Sequence, residues 1–278
     1  MDRREILSVT AMAALGTARG SWLPAPGHRP SPLGPLGVQL YTVRAAMRAD
    51  MEGTLRQVAR IGYREVEFAG YFDRTPEQVR AILDRFHLTS PAAHIDIALL
   101  ENGWDRTLAA AHTIGHRYLV VAWTPQERRR TLDDWRRIGD LFNRAGEQAR
   151  ASGLGFAYHN HSYEFEPLEG RLPYDVLLEA SDPARVKLEM DLYWITAGGQ
   201  DPLAYFAKYP GRFPLVHVKD MAPDKRMVDV GAGSIDWRRI FAQRRQAGIE
   251  HFFVEHDEPP QPFDSIRRSF RYLSRLSV

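Results

Sequence analysis

The 278-residue chain contains no cysteine. Disulfide bonds, thiolate metal ligands and a cysteine nucleophile are therefore excluded. The chain also has no long apolar run near its start, because residues 6–18 are only mildly apolar and too few to cross a bilayer. We expect no stable membrane span. The length is sufficient for one large α/β domain or two small ones.

The first residues differ in composition from the rest of the chain. The paired arginines Arg3 and Arg4 precede the apolar residues 6–18, which end in small residues. This order is typical of a twin-arginine signal peptide. The sequence therefore predicts a signal peptide over residues 1–20, an unstructured Pro/Gly-rich spacer over 21–36, and export to the periplasm. The alternative is an uncut tail on a cytoplasmic protein.

The basic excess of the chain is confined to this N-terminal segment. Four of the 37 basic and two of the 35 acidic residues lie in the first 36 positions, so the remainder carries equal numbers of both. Proteins that bind phosphate backbones normally carry a basic excess. We therefore expect no nucleic-acid partner.

From residue 37 onward, short β-prone runs alternate with amphipathic helical runs, eight of each. Strict alternation predicts a parallel sheet with right-handed crossovers. Eight repeats of about 30 residues predict a closed (β/α)8 TIM barrel, one α/β domain over residues 37–278. An open doubly wound sheet is the alternative, but Tyr41-Thr-Val-Arg44 after the first strand is not a glycine-rich phosphate fingerprint.

Polar side chains stand at the C-terminal ends of the predicted strands, which face the active-site mouth in such a barrel. Each alone is explained by a structural hydrogen bond or a helix cap. However, strands five to eight each end in an imidazole or a carboxylate, and this joint placement predicts a metal centre. Two imidazoles with two carboxylates suit Mn²⁺, Zn²⁺, Co²⁺ or Fe²⁺, whereas Mg²⁺ prefers oxygen alone. The candidates at the strand ends are Gln39, Tyr41, Glu67, His94, Trp123, His159, His161, Glu164, Asp191, His217, Lys219, Glu255 and Asp257.

Five segments follow one another at the spacing of barrel strands: YHNHSYEF (158–165), MDLYW (190–194), HVKD (217–220), VGAGSIDW (230–237) and VEHD (254–257). Together they resemble the xylose isomerase-like TIM-barrel superfamily, and within it the sugar phosphate isomerase/epimerase group. The resemblance covers about residue 37 to the C terminus. It implies one divalent ion held by His159, Asp191, His217 and Glu255, one ligand from each of strands five to eight.

The chain departs from this group at strand five. The epimerases of the group have a glutamate there that binds metal and serves as an acid/base, whereas this chain has His159. A symmetrical epimerisation with two glutamates is therefore not expected, unless His161 or Glu164 replaces the missing carboxylate. Inosose dehydratase-like relatives also have a histidine-rich end of strand five. The resemblance thus favours proton abstraction followed by elimination or isomerisation.

These features predict a divalent-metal-dependent sugar isomerase or epimerase, or a keto-sugar lyase or dehydratase. The metal would polarise a substrate carbonyl, a carboxylate or imidazole would remove the α-proton, and the metal's charge would hold the enediolate. Because phosphorylated sugars are not expected outside the cytoplasm, the predicted substrate is a free sugar, a glycoside or a keto-sugar. The expected roles are proton transfer or oxyanion binding for Glu255, His161, Glu164 and Lys219, hydroxyl orientation for Glu67 and His94, and stacking on a sugar ring for Tyr41, Trp123 and Trp194.

Two alternatives remain open from the sequence. The first is a metal-dependent phosphodiesterase of the endonuclease IV kind, which would need three metal ions and a basic DNA-binding face. The second is a non-catalytic sugar-binding or partner-dependent subunit that has kept the barrel. A metal count per chain would separate these possibilities.

Overall fold

A computed structural model describes residues 33–277 as eight parallel strands around which helices pack. The strands close in the order β1-β8-β7-β6-β5-β4-β3-β2, so the predicted TIM barrel is confirmed. The strands are β1 (Gly37–Gln39), β2 (Glu65–Phe68), β3 (Thr89–Ile95), β4 (Tyr118–Val121), β5 (Gly155–His159), β6 (Val186–Asp191), β7 (Leu215–Val218) and β8 (His251–Val254).

The helices lie outside the barrel, in the connections between strands and after β8. They are α1 (Arg44–Ala49), α2 (Met51–Ile61), α3 (Pro76–Phe86), α4 (Trp104–Ile114), α5 (Leu132–Ala151), α6 (Pro173–Ala180), α7 (Leu192–Ala197), α8 (Pro202–Lys208), α9 (Trp237–Ala242), α10 (Arg244–Ala247) and α11 (Pro262–Leu273). Short 3-10 helices occur at Leu40–Val43, Ile97–Leu100, Gln126–Arg128 and Tyr163–Phe165. None of the helices within residues 33–277 combines the length and apolarity that a membrane span requires.

Local sequence sets where the longer helices begin. Thr75 precedes α3 and forms a reciprocal capping box with Gln78, while Pro76 occupies the first helical position. Thr131 forms the same reciprocal arrangement with Asp134 at the start of α5. Each box satisfies backbone N–H groups that have no partner within the helix, so the start of each helix is fixed.

Side chains alternate along each strand between the barrel interior and the helix-facing side. The interior is closed by a small apolar layer, and a larger core lies between the barrel and the helices. Polar residues two positions further along the same strands must therefore lie above this layer, towards the C-terminal mouth. The interior layer consists of Ala92, Val120, Ala157, Leu215 and Phe253.

Several connections contain short elements that the eight alternating runs of the sequence do not show. Residues 220–234 contain a two-stranded antiparallel hairpin, Asp220–Met221 with Met227–Val228. Two short helices, α9 and α10, precede β8. The helix α7 follows β6 directly and was missed, because six residues are too few to show a helical period.

The predicted signal peptide and most of the predicted spacer lie outside the described residues. Of the spacer, residues 33–36 are described. Leu33 and Leu36 in this segment are buried in the large core. Packing against the barrel thus begins before the predicted domain start at residue 37.

Candidate metal centre and active site

A cavity of about 1300 Å³ opens at the C-terminal mouth of the barrel. Its walls include side chains from the ends of six strands, among them Tyr41, His94, Trp123, His161, Lys219 and Glu255. With His159 and Asp257, eight of the residues singled out from the sequence therefore face one space. Its volume is large enough for a small-molecule substrate, since such sites usually measure about 300 to 1,000 Å³.

The carboxylate of Asp191 ends strand β6 and has two different surroundings. Its Oδ1 accepts hydrogen bonds from the backbone N–H groups of Tyr193 and Trp194, and this caps α7. Its Oδ2 is buried beside the Lys219 ammonium, 2.9 Å from Nζ, and lies 3.6 Å from His159 Nε2 and 3.9 Å from His217 Nδ1. Burial raises the pKa of Asp191 to about 6, although Lys219 and His217 oppose the rise.

His217 connects Asp191 and Glu255 with a deeper layer of the barrel. Its Nδ1 lies 2.7 Å from Glu255 Oε2, whereas its Nε2 lies 2.7 Å from Glu67 Oε2 and 3.2 Å from Glu189 Oε2. Burial alone would lower the pKa of His217, but Glu189 and Glu255 raise it well above its usual range. The ring is thus held between carboxylates on both sides.

Lys219 lies beside the same carboxylates and is almost fully buried, with 2% of its side chain exposed. Its ammonium Nζ is 2.9 Å from Asp191 Oδ2, 2.8 Å from Glu255 Oε2 and 2.9 Å from Asp257 Oδ1. Against the effect of burial, Lys219 and His217 hold the pKa of Glu255 well below its usual range. A buried charge needs such partners to be tolerated.

The deeper layer is a group of five buried or nearly buried residues that we call the inner cluster: Glu67, His94, His159, Glu189 and His217. Glu189 Oε2 is its centre, since it lies 2.7 Å from His94 Nε2, 3.1 Å from His159 Nδ1 and 3.2 Å from His217 Nε2. Burial would raise the pKa of Glu189, but His217 and His94 hold it well below its usual range. The carboxylate is therefore ionised and accepts hydrogen bonds only.

Glu189 was missed in the sequence. A usable signal was present, because Glu189 precedes Asp191 by two residues on β6 and side chains two apart share a strand face. The same period links Glu65 with Glu67 on β2. Glu67, predicted to orient substrate hydroxyls, lies below the cavity wall and accepts a hydrogen bond from Gln39 Nε2 at 2.8 Å. Burial and the nearby Glu189 raise the pKa of Glu67 to about 7.

His161 and Glu164, both predicted to transfer protons, have different surroundings. His161 lines the cavity, and its buried Nδ1 has no hydrogen-bond partner within residues 33–277. Burial, followed by the charge of Lys219, lowers the pKa of His161 to about 3. Glu164 is fully buried, accepts hydrogen bonds from Tyr158 Oη and from the backbone N–H of His161, and is not part of the cavity wall.

The three predicted stacking residues also differ. Trp123 and Tyr41 line the cavity mouth with 53% and 41% of their surface exposed, and only one other large apolar residue among those described is comparably exposed. Trp194 is not part of the cavity wall. Its ring lies 5.8 Å from Lys219 Nζ and 5.8 Å from the His161 ring. Trp194 therefore supports the side chains that face the cavity.

Asp220 explains Gly233 in the loop after β7, whereas at Gly231 a φ of +90° and the nearby Tyr272 ring disfavour a side chain. The carboxylate Oδ2 of Asp220 accepts hydrogen bonds from Gly231 N at 2.8 Å, Gly233 N at 3.2 Å and Trp237 Nε1 at 3.0 Å. A Cβ at Gly233 would lie 2.2 Å from Asp220 Oδ1. Glycine is required because the backbone approaches this carboxylate so closely.

The residues fit a divalent ion at the outer layer formed by His159, Asp191, His217 and Glu255. Asp191, His217 and Glu255 are buried and offer ligand atoms within 4.8 Å of one another, and His159 Nε2 lies 3.6 Å from Asp191 Oδ2. Two imidazoles and two carboxylates are a donor set for Zn²⁺, Mn²⁺, Co²⁺ or Fe²⁺. The Lys219 ammonium lies between Asp191 and Glu255, so the space beside these two carboxylates favours positive charge.

Comparison with known proteins agrees with the fold. The family model described as xylose isomerase-like TIM barrel matches residues 55–276, and the chain belongs to this family. An inosose dehydratase of Lacticaseibacillus casei is 24% identical over 264 residues, covering 80% of this chain and 88% of the relative.

Two solved structures extend the comparison. A sugar phosphate isomerase/epimerase from Parabacteroides distasonis superposes with a TM-score of 0.78 at 25% identity, covering 90% of this chain and 96% of the other. The IOLI protein, whose structure has a bound zinc atom, has the same fold at a TM-score of 0.68 and 14% identity, covering 86% and 96% of the two chains. This chain therefore belongs to a family of enzymes whose named members include dehydratases and isomerases or epimerases.

Proposed function

We propose that this chain is a divalent-metal-dependent enzyme that removes the α-proton of a keto-sugar and then eliminates water or isomerises the product. The observation that carries the proposal is the convergence of Asp191, His217 and Glu255 beside a large cavity, with His159 Nε2 3.6 Å from Asp191 Oδ2. The bound ion would supply Lewis acidity, which polarises the substrate carbonyl. The relatives named inosose dehydratase support elimination and make cyclic ketones the first substrates to test.

The charged groups around the cavity are arranged asymmetrically. His94, His159 and His161 stand on the side of β3 and β5, whereas Lys219, Glu255 and Asp257 stand with His256 on the side of β7 and β8. A symmetrical epimerisation would need a proton carrier on each face of the substrate. With His159 in place of a carboxylate at the end of β5, we propose a single proton carrier instead.

His161 is the group we assign to this proton transfer. Its low pKa keeps the imidazole neutral near pH 7, so a ring nitrogen has a free lone pair. An anionic enediolate nearby would raise the basicity of the ring during the reaction. The proton could then return to the neighbouring carbon, which gives isomerisation, or to a departing hydroxyl, which gives an unsaturated product and water.

Lys219 would hold the developing negative charge on the substrate oxygen. Its pKa is raised well above the usual range by Asp191, Glu255 and Asp257 against the effect of burial, so the group stays an ammonium ion. A fixed positive charge in a buried site stabilises an oxyanion more than it would in water. Lys219 therefore acts through its charge and does not carry the proton.

The first experiment combines a metal count with an exchange measurement. Elemental analysis of the purified protein should give about one divalent ion per chain, and a Glu255→Gln variant should lose it. Incubation of keto-sugars and cyclic ketones with the metal-loaded protein in deuterated water should place deuterium at the substrate α-carbon. Bound metal without exchange or turnover on any such substrate would favour a non-catalytic sugar-binding subunit, and about three ions per chain would favour the phosphodiesterase.

We also propose that the N-terminal segment directs export, and hence that the substrate is not phosphorylated. The order of paired arginines, an apolar stretch and small residues supports this proposal. A free sugar, a glycoside or a keto-sugar is then the substrate class to test first.

A further inference from the structure

The two histidines of the proposed metal centre present different ring nitrogens to it. His159 points Nε2 towards Asp191 and Nδ1 towards Glu189, whereas His217 points Nδ1 towards Glu255 and Nε2 towards Glu189 and Glu67. A neutral imidazole has one lone pair, and its other nitrogen carries hydrogen. The two rings must therefore adopt opposite tautomers to bind one ion.

We propose that Glu189 is the positioning residue that imposes both tautomers at once. Its Oε2 lies 3.1 Å from His159 Nδ1 and 3.2 Å from His217 Nε2, which are the two nitrogens that face away from Asp191 and Glu255. A carboxylate accepts hydrogen bonds and donates none, so each facing nitrogen must carry hydrogen. The lone pairs of His159 Nε2 and His217 Nδ1 are then directed to the metal.

Burial makes this arrangement effective. Glu189, His217 and His159 have at most 2% of their surface exposed, so water does not compete for these hydrogen bonds. Residues that orient metal-binding histidines in this way typically change metal affinity by roughly 10- to 100-fold when replaced. Glu67 supports one ring only, since it contacts His217 Nε2 at 2.7 Å and has no hydrogen bond to His159. Glu67 is the nearer acceptor for His217 Nε2, but of these two carboxylates only Glu189 also reaches His159.

The proposal rests on the proposed metal centre and can fail independently of it. The inner cluster could itself hold an ion, because His94, His159, Glu189 and His217 also offer ligand atoms within 4.8 Å of one another. An ion there would use the nitrogens that this proposal assigns to hydrogen. The two arrangements therefore predict opposite tautomers for the same two histidines.

The decisive measurement is the ring-nitrogen NMR spectrum of zinc-loaded full-length protein with 15N-labelled histidine. We expect His159 as the Nδ1–H form bound through Nε2, and His217 as the Nε2–H form bound through Nδ1. The Glu189→Gln variant should bind Co²⁺ 10- to 100-fold more weakly in a chelator competition followed by cobalt absorption. Its His159 and His217 signals should both change, whereas Glu67→Gln should change His217 alone.

Glu65→Gln is the matched control, because Glu65 Oε2 makes the same kind of contact with His251 Nδ1 at 2.8 Å, outside the proposed centre. Its metal affinity and the spectra of His159 and His217 should equal those of the unchanged protein. Identical tautomers on the two rings, or an unchanged cobalt affinity in a folded Glu189→Gln variant, would overturn the proposal. Two ions per chain with loss of one in Glu189→Gln would also overturn it and make the inner cluster a metal site. Protein that binds no divalent ion at all would instead defeat the proposed function.

Discussion

Lys219 and Asp257 form an ion pair of 2.9 Å at the edge of the proposed metal centre. Asp257 is not one of the four proposed metal ligands. Lys219 can therefore keep one counter-charge when Asp191 and Glu255 are engaged by a divalent ion. Lys219, to which oxyanion binding is assigned, is thus paired with Asp257, which is not a proposed metal ligand.

Replacing Lys219 with methionine should destabilise the metal-free protein. The change leaves Asp191 and Glu255 as buried carboxylates without their ammonium partner, which costs about 3 kcal/mol or more of unfolding free energy. Adding Zn²⁺ or Co²⁺ should restore most of this stability, because the ion supplies positive charge at the same oxygens. Urea unfolding at pH 7 with and without metal measures both effects.

Lys208→Met is the control for that variant, since Lys208 forms an exposed ion pair with Asp175 at 3.5 Å. Its stability should change by about 1 kcal/mol or less. A Lys219→Met protein as stable as the control without metal would contradict the role of Lys219 as a resident counter-charge.

Replacing His161 with glutamine should abolish most turnover without loss of metal. A proton carrier typically contributes about 100-fold or more to the rate, so kcat should fall by at least that factor. Steady-state kinetics and metal content should be measured together on the variant and on His112→Gln, an exposed histidine of α4. Unchanged α-proton exchange in His161→Gln would assign the proton transfer to another group.

Replacing Trp123 with alanine should weaken substrate binding while leaving kcat close to that of the unchanged protein. Its exposed ring at the cavity mouth can stack on a sugar, whereas proton transfer is assigned to His161. We expect KM to rise roughly tenfold, which corresponds to about 1.4 kcal/mol of binding free energy. Tyr272 is exposed to 36% and lies outside the cavity wall, so Tyr272→Ala should not change KM.

Glu164 should make stability depend on pH between its unfolded and folded pKa values. Burial raises its pKa from 4.5 to about 7, so the folded protein holds the proton more tightly than the unfolded chain. This contribution is present below about pH 4.5 and is lost as the pH rises to about 7, by up to about 3 kcal/mol. Glu164→Gln should lack this loss.

Urea unfolding of both proteins at several pH values between 4.5 and 7.5 tests this expectation. As the pH rises, the unfolding free energy of the unchanged protein should fall relative to that of Glu164→Gln. Parallel curves would mean that Glu164 does not titrate in this range.

The double change Arg3→Lys and Arg4→Lys should retain the protein in the cytoplasm if the leader is of the twin-arginine type. Transport by this route depends on the arginine pair and not on charge alone. Cell fractionation followed by immunoblotting measures the distribution. Arg19→Lys should leave it unchanged, and export of the double variant would count against this route.

Much of the fold was predictable because it is a repeated local pattern. Alternating β-prone and helical runs gave the barrel, and caps such as Thr75 with Pro76 marked helix starts. The hairpin at Asp220–Met221 with Met227–Val228 was missed because two-residue strands carry no periodic signal. Its position depends on hydrogen bonds to Asp220, which join residues far apart in sequence.

The sequence predicted which residues stand at the strand ends, but it did not predict the inner cluster beneath them. The sequence indicated Asp191 and His217, because each ends a strand. It did not indicate Glu189, whose importance depends on the register that places β6 beside β5 and β7. The contact of Lys219 with three carboxylates likewise arises from closure of the barrel, which joins residues from three strand ends.

Asp191 serves α7 with one oxygen and faces the proposed metal position with the other. The start of that helix and the proposed ligand set therefore depend on the same side chain. Asp191→Ala would remove the cap of α7 and the metal ligand together, so its effects could not be assigned to either one. An asparagine retains an oxygen for the cap and would separate the helix from the chemistry.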